Sequence, residues 1–461
     1  MILAAALAIA HYSVATTQPL AQQRFDTALT EVYAYDGPDA AIDFDGAALT
    51  DPHLAMAFWG KALAEGSDLN HPVDDERFAR AHADAMRAFA LETYASADEQ
   101  QLIGAVATRY AGTYADARRD EDAYEKAMRA YVASHPDDDD ATMLLVEALL
   151  EAHGMNWSDA GTPVNPTSAE ALKLTQGVLA RDPGHIFANH LCIHIYDTAP
   201  DRTYAIACAQ RLDAMSFGPG EEHLAHMPAH LWIEIGDGEK ALASSERAWS
   251  LDPTSYASHD AYVALDAALL SGDRAAATTW AARLALLCPC QEYDVIAARF
   301  ADWNTALQLK PPQEQFAFAD GLAAVHAGML DRASGDEAAL LRTNSPVDAA
   351  VLSAQVDENR HDVAGAIAQL QPFMHELRTD GEMLPFFPPD EALGAIYFRA
   401  NRFTEAQRTF NTILATRPDD PRALFGIWQT SLALGDAADA ARYDALFHRY
   451  WAGGSLSMQD F

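Results

Sequence analysis

Lysine is nearly missing from this chain. Five of its 31 basic residues are Lys, against 67 acidic ones, and the formal charge is −36. Nucleic acid is therefore excluded as an expected partner, since binding it needs a basic footprint. An anionic membrane surface is disfavoured for the same reason. Long hydrophobic runs are missing too. The start, MILAAALAIA, is apolar for ten residues and too short to span a bilayer, so no integral membrane segment is expected. Cysteine is scarce: Cys192, Cys208, Cys288 and Cys290 make no disulfide framework for a chain of this size and read as buried or incidental thiols. Cys288-Pro289-Cys290 has the look of a soft-metal or redox pair. Strand-like alternation is nearly absent, which points away from a sheet. No His-Glu-x-x-His, Gly-rich phosphate loop, Gly-x-Ser-x-Gly or dinucleotide fingerprint occurs, so the common zincin, nucleotide and hydrolase chemistries lose their support.

Half of the chain is apolar, ample for a core across 461 residues. Its acidity mostly means solubility. The apolar start, with Ser13-Val14-Ala15 as a small-x-small cleavage candidate, reads either as a secretory signal or as the first helix of the fold. A periplasmic or secreted location follows from the first reading and a cytoplasmic one from the second.

Elsewhere the pattern is helical. Segments of roughly a dozen residues carry apolar faces and break at Asp-Pro or Gly-Asp, at about the 34-residue spacing of tetratricopeptide repeats. With Gly236 as the turn between two helices, Trp232, Ala241, Ala248 and Pro253 fall at the aromatic, small, small and Pro positions of that repeat. Gly394, Tyr397, Ala406, Phe410 and Pro418 fill the same frame again. Gly435-Asp436 with Ala440 fills it a third time. The predicted fold is all-α, a tetratricopeptide-like α-solenoid in which helix pairs stack into a right-handed superhelix. Residues 1–24 read as a signal or N-terminal helix, 25–383 as the main array and 384–461 as C-terminal repeats, the Pro-rich stretch Leu384–Asp390 marking the second boundary. Asp137–Asp140, after Pro136, reads as a helix N-terminus rather than a calcium site.

Histidines carry the chemistry. His190 and His194 form one i, i+4 pair, and His226 and His230 form another, so each pair projects from one helix face. Counting repeats from Ile186 and from Glu222, both pairs occupy the fifth and ninth positions. In such arrays those positions line the concave surface, and neighbouring first helices lie about 8–10 Å apart. Four imidazoles are thus expected on one wall, joined by His223 and by His259 of the next first helix. Imidazole suits Zn, Cu and Fe, and three His with an open position form a catalytic zinc geometry. Asp197 and Asp260 are candidate carboxylates to orient or join the ligands. Pro228 either kinks the second helix or lies in the first turn of a helix that begins at Met227.

These residues resemble a bacterial family of tetratricopeptide-repeat proteins, whose members carry stretches similar to DPHLAMAFWGKALAEGSDLNHP, QLIGAVATRYA, ANHLCIHIYDTA and HLAHMPAHLWIEIGD. The resemblance runs from about Phe25 to Trp451. The family's Gly-His-Leu-x-His-Met-Pro-x-His stretch appears with Glu222 in place of Gly, while His223, His226, Pro228 and His230 match. Where the next helix of the family opens with two His, this chain has His259 and Tyr262. Asn70 and His71, and Trp157 with Asp159, echo two further family stretches. The resemblance implies the fold and a special role for the histidines, and no particular reaction.

Three functions are left in play. One is a solenoid that binds a transition metal in its groove, Zn or Cu before Fe, as a metal-binding protein or a metalloenzyme acting on a small molecule. Another is a metal-free scaffold that binds a peptide or protein partner. The third is a metal-free enzyme that binds a small polar ligand with His as general acid or base, though the sequence offers it no obvious nucleophile. The scarcity of Lys where peptide clamps use Lys, Arg and Asn favours the first.

Overall fold

A computed structural model describes residues 9–158, 160–287, 293–308, 317–342, 345–374 and 387–461. The first eight residues of the apolar start, Asp159, the Cys288-Pro289-Cys290 pair and the first three residues of the Leu384–Asp390 connector lie outside them. The described residues form α-helices joined by short turns, with no β-strand among them beyond an isolated bridge between Trp157 and Pro163. No described helix is long and apolar enough to cross a membrane. By packing, the chain divides into two compact units, one of residues 1–228 with 247–255, the other of 229–246 with 256–461.

Local sequence explains where helices start and stop. Asp138 caps Asp139–His153 through the Ala141 amide, so the Asp run does cap a helix. Asn165 caps Pro166–Arg181, with Pro in the first turn where its missing N–H costs nothing. Ser96 and Glu99 close a reciprocal capping box on Ala97–Arg109. In the second unit Gly435 ends Pro421–Leu434 at φ 77°, and Asp436 directly caps Ala437–Tyr450, so two residues make the whole inter-helix turn.

In the first unit Pro19–Tyr33 packs on Gly37–Thr50, with Phe25 edge-on to Phe44 at 5.4 Å. Before that helix, residues 10–16 are tied down: His11 Nδ1 meets Asp26 at 2.7 Å and the Ala15 amide donates to Glu99 at 2.7 Å. One cysteine reading needs correction. Cys192 and Cys208 are buried, but they are joined in a disulfide. The turn at 198–205 folds Ile206–Ala214 back on Ile186–Asp197 and brings their Cα atoms to 6.4 Å. A spacing of sixteen residues carries no trace of that return. In the second unit the core runs through Leu322, Leu352 and Ile396 to Phe410, Phe425 and Phe447.

Candidate metal centre

His190 and His194 lie on Ile186–Asp197, and His223 lies in the first turn of Glu222–Ile235. That second helix begins at Glu222 and carries Pro228 inside it. A start at Met227 is therefore not the arrangement adopted, and His223 and His226 are helical rather than on a lead-in loop.

His190 is fully buried, and its Nδ1 sits 2.7 Å from the Tyr33 carbonyl. A carbonyl only accepts, so Nδ1 carries the proton and Nε2 of the neutral ring presents its lone pair. His194 Nε2 faces that lone pair at 3.1 Å. His223 Nε2 lies 3.2 Å from Asn70 Nδ2, a contact that ties the His223 ring in place. One nitrogen from each of His190, His194 and His223 falls within 4.8 Å of the other two. Two imidazole nitrogens on one tetrahedral zinc, each at about 2.0 Å, stand roughly 3.3 Å apart. The His190–His194 separation is close to that without rearrangement.

The support around these rings is built from the end of Pro19–Tyr33. Tyr33 stacks on Phe187 at 4.4 Å, and its hydroxyl donates to Asp140 at 2.6 Å, so the carbonyl that orients His190 is fixed at both ends of its own side chain. Tyr35 follows at φ 59°, a left-handed conformation rare for an aromatic residue and costing about 1–3 kcal/mol. Held there, its ring lies 4.6 Å from His190, 5.6 Å from His223 and 6.0 Å from His194. His185 caps the His190 helix through its own Nδ1.

Burial, and then the neighbouring His190, push the His194 imidazole well below its usual range, so it stays neutral and able to ligate. Carboxylates of the same unit are shifted as well. Burial pushes Glu31 up to about 9, with Asp43, Asp39, Asp36 and Glu221 adding to the effect. Burial likewise raises Asp36 to about 6 and moves Glu222 upward.

The remaining candidates fall elsewhere. His226 stacks one turn along from His223, ring centres 6.2 Å apart. In the second unit half-buried His230 and exposed His259 bring their Nε2 atoms to 3.2 Å. Asp260, next to His259, is buried. His71 Nδ1 meets the Asp68 carboxylate at 3.1 Å. Asp197 ends the His190 helix, and its carbonyl accepts from Arg202 at 2.8 Å. Trp157 donates to the Ile195 carbonyl at 3.0 Å and stacks on Tyr196, which makes it a brace for the end of that helix. Tyr33, Tyr35 and Glu31 were not singled out by the sequence. Their one local sign is an aromatic pair ahead of the Asp-Gly-Pro turn.

No family model and no curated protein matches the chain. Among solved structures it is similar to the TPR domain of P58(IPK), at 13% identity over 91% of this chain and 99% of that one, TM-score 0.26. It is also similar to the human IFIT1 dimer with PPP-AAAA, at 12% identity over 90% of this chain and 86% of that one, TM-score 0.31. The same dimer with m7Gppp-AAAA gives 12% identity, 94% and 90% coverage and TM-score 0.32. The fold class rests on the chain's own described residues, which form consecutive helices packed in antiparallel pairs.

Proposed function

We propose that the first unit binds a divalent transition metal, Zn or Cu before Fe, through His190, His194 and His223. The observation that carries this reading is the 3.1 Å approach of two Nε2 atoms, one of them a lone pair fixed by the Tyr33 carbonyl. Neutral imidazoles brought this close can share one divalent metal, which releases protons as it binds. Three nitrogen ligands leave a coordination position for water or a small molecule, which is the form of a catalytic site. Tyr35 covers the rings, and Asn70 orients His223. The bound metal would supply Lewis acidity at that position, while the chain holds the ligand rings in one tautomer. The His230–His259 pair offers the same nitrogen spacing in the second unit, with Tyr262 where a further ring stands in the bacterial family that the chain resembles. That resemblance, strongest in ANHLCIHIYDTA and HLAHMPAHLWIEIGD, supports the same reading.

Calorimetric titration of the full chain, purified without a histidine tag, tests it. Wild type binds Zn or Cu at micromolar concentration or tighter. His190→Ala and His223→Ala weaken this by more than tenfold, and Asn70→Ala by about tenfold, the usual cost of losing a group that orients a ligand. His190→Ala combined with His230→Ala removes a ligand from each unit. Protons compete for imidazole lone pairs, and a free ring titrates near 6.5. With His194 shifted downward, binding is lost only below about pH 6. Wild type that binds nothing at micromolar metal, or His190→Ala that binds equally well while circular dichroism shows it folded, overturns the reading.

A further inference from the structure

The last ten residues of the second unit contain no repeat signature, yet Met458 and Phe461 are buried in its core. They reach it through a tail that crosses successive repeats and turns at Ser457–Asp460, where the Asp460 amide donates to the Ser457 carbonyl at 3.0 Å. Gln355 Nε2 donates to the Phe461 backbone oxygen at 2.8 Å, Arg399 Nη1 donates to the Met458 carbonyl, and Arg422 Nη2 donates to the Asp460 carbonyl at 2.6 Å. These three donors come from three helices, Pro346–Asn359, Pro389–Arg399 and Pro421–Leu434. Each is the first helix of its pair. Backbone oxygens are thus gripped by side chains, a mode of recognition that reads the path of the chain and tolerates many sequences.

Selectivity comes from what lies between the grips. The Arg422 guanidinium stands 3.9 Å from the centre of the Phe461 ring, which also stacks 6.0 Å from Phe425. Arg422 is wholly buried and held by Glu391 at 2.8 Å, and Arg299 meets the same carboxylate at 3.1 Å. A buried cation over an aromatic face favours Phe or another ring at that place. Asp460 brings negative charge to Arg422 and caps the Ser457 amide at 2.6 Å. Leu322, Val351 and Phe387 line a cavity that Phe461 closes.

We propose that this groove is a peptide-recognition site occupied by the chain's own residues 455–461, and that its exchangeable ligand is a peptide segment of a partner that turns in the same way and carries an acidic residue followed by an aromatic one. This reading is independent of the metal centre, which lies in the other unit.

The test keeps the chain whole until it has folded. A protease site inserted between Gly454 and Ser455, both exposed, allows the tail to be cut in place. The cut protein is gel-filtered and titrated with a fluorescent, C-terminally amidated peptide of the sequence SLSMQDF. The cut chain keeps its helicity and binds the peptide at micromolar concentration, at least tenfold tighter than the uncut chain does. Replacing the peptide's Phe by Ala abolishes binding, and Gln355→Ala with Arg399→Ala in the chain weakens it at least tenfold. Equal binding by cut and uncut chain overturns the proposal. So does a cut chain that retains its tail against excess peptide, or one that loses its helicity, because the tail would then be a fixed part of the core.

Discussion

A carbonyl oxygen cannot donate, and that one fact decides how His190 is protonated. Tyr33 supplies the carbonyl from 157 residues away. Nothing periodic links those positions, so the histidine pairs were legible in the sequence while the residues that orient and cover them were not. Glu31 was equally hidden, and it yields a prediction of its own. Its carboxyl is pushed to about 9 by burial and by four neighbouring carboxylates. The folded chain therefore holds a proton there that the unfolded chain releases near the ordinary glutamate value. Native protein binds more protons across that window, and its stability falls as pH rises from about 4.5 toward 9. Glu31→Gln removes the effect. Its melting temperature should match wild type near pH 4.5 and exceed it at pH 8, where a difference of about 1 kcal/mol corresponds to about 2–4 °C for a unit of this size. Melting curves that stay parallel from pH 5 to pH 9 would show that Glu31 is ionised in the fold.

Helix pairs were legible because their contacts recur. Gly394 and Phe410 were read as repeat positions, and they meet as that frame requires: a Cβ on Gly394 would stand 2.6 Å from the Phe410 ring, and one on Gly426 2.5 Å from its other atoms. The ring is clamped between two first helices and has nowhere to move. Gly394→Ala should cost about 1–3 kcal/mol by overpacking, and Phe410→Ala about 3–5 kcal/mol by the cavity it leaves. Combined, they should cost clearly less than their sum, since the cavity receives the new methyl group. Urea denaturation of the four proteins measures this, and strict additivity would mean that the two residues do not share one contact. Elements without a repeat partner escaped the sequence. The Cys192–Cys208 bridge and the tail through Met458 and Phe461 both depend on the chain turning back. Periodicity records stacking and not return. The Pro inside Glu222–Ile235 was ambiguous for a related reason, because a helix start and a helix interior differ in what packs around them.

For the whole molecule the dominant number is the charge of −36. Most of its cations are Arg, and many of these are engaged with carboxylates. Some pairs are exposed, such as Arg80 with Glu65 and Glu76, and contribute about 0–1 kcal/mol each. Others are buried, such as Arg109 with Glu121 and Glu151, and salt reaches them poorly. What salt does reach is the excess of surface carboxylates, whose mutual repulsion opposes the compact state. Screening contracts from about 10 Å at 0.1 M to about 3 Å at 1 M. The repulsion relieved is spread over many residues, while the attraction lost is confined to a few weak surface pairs, so the first should prevail. Melting temperature should therefore rise between 0.1 and 1 M NaCl, equally in KCl, and the rise should shrink at pH 5 as carboxylates begin to protonate. A melting temperature that falls with salt at pH 8 would mean that the exposed pairs outweigh the net repulsion.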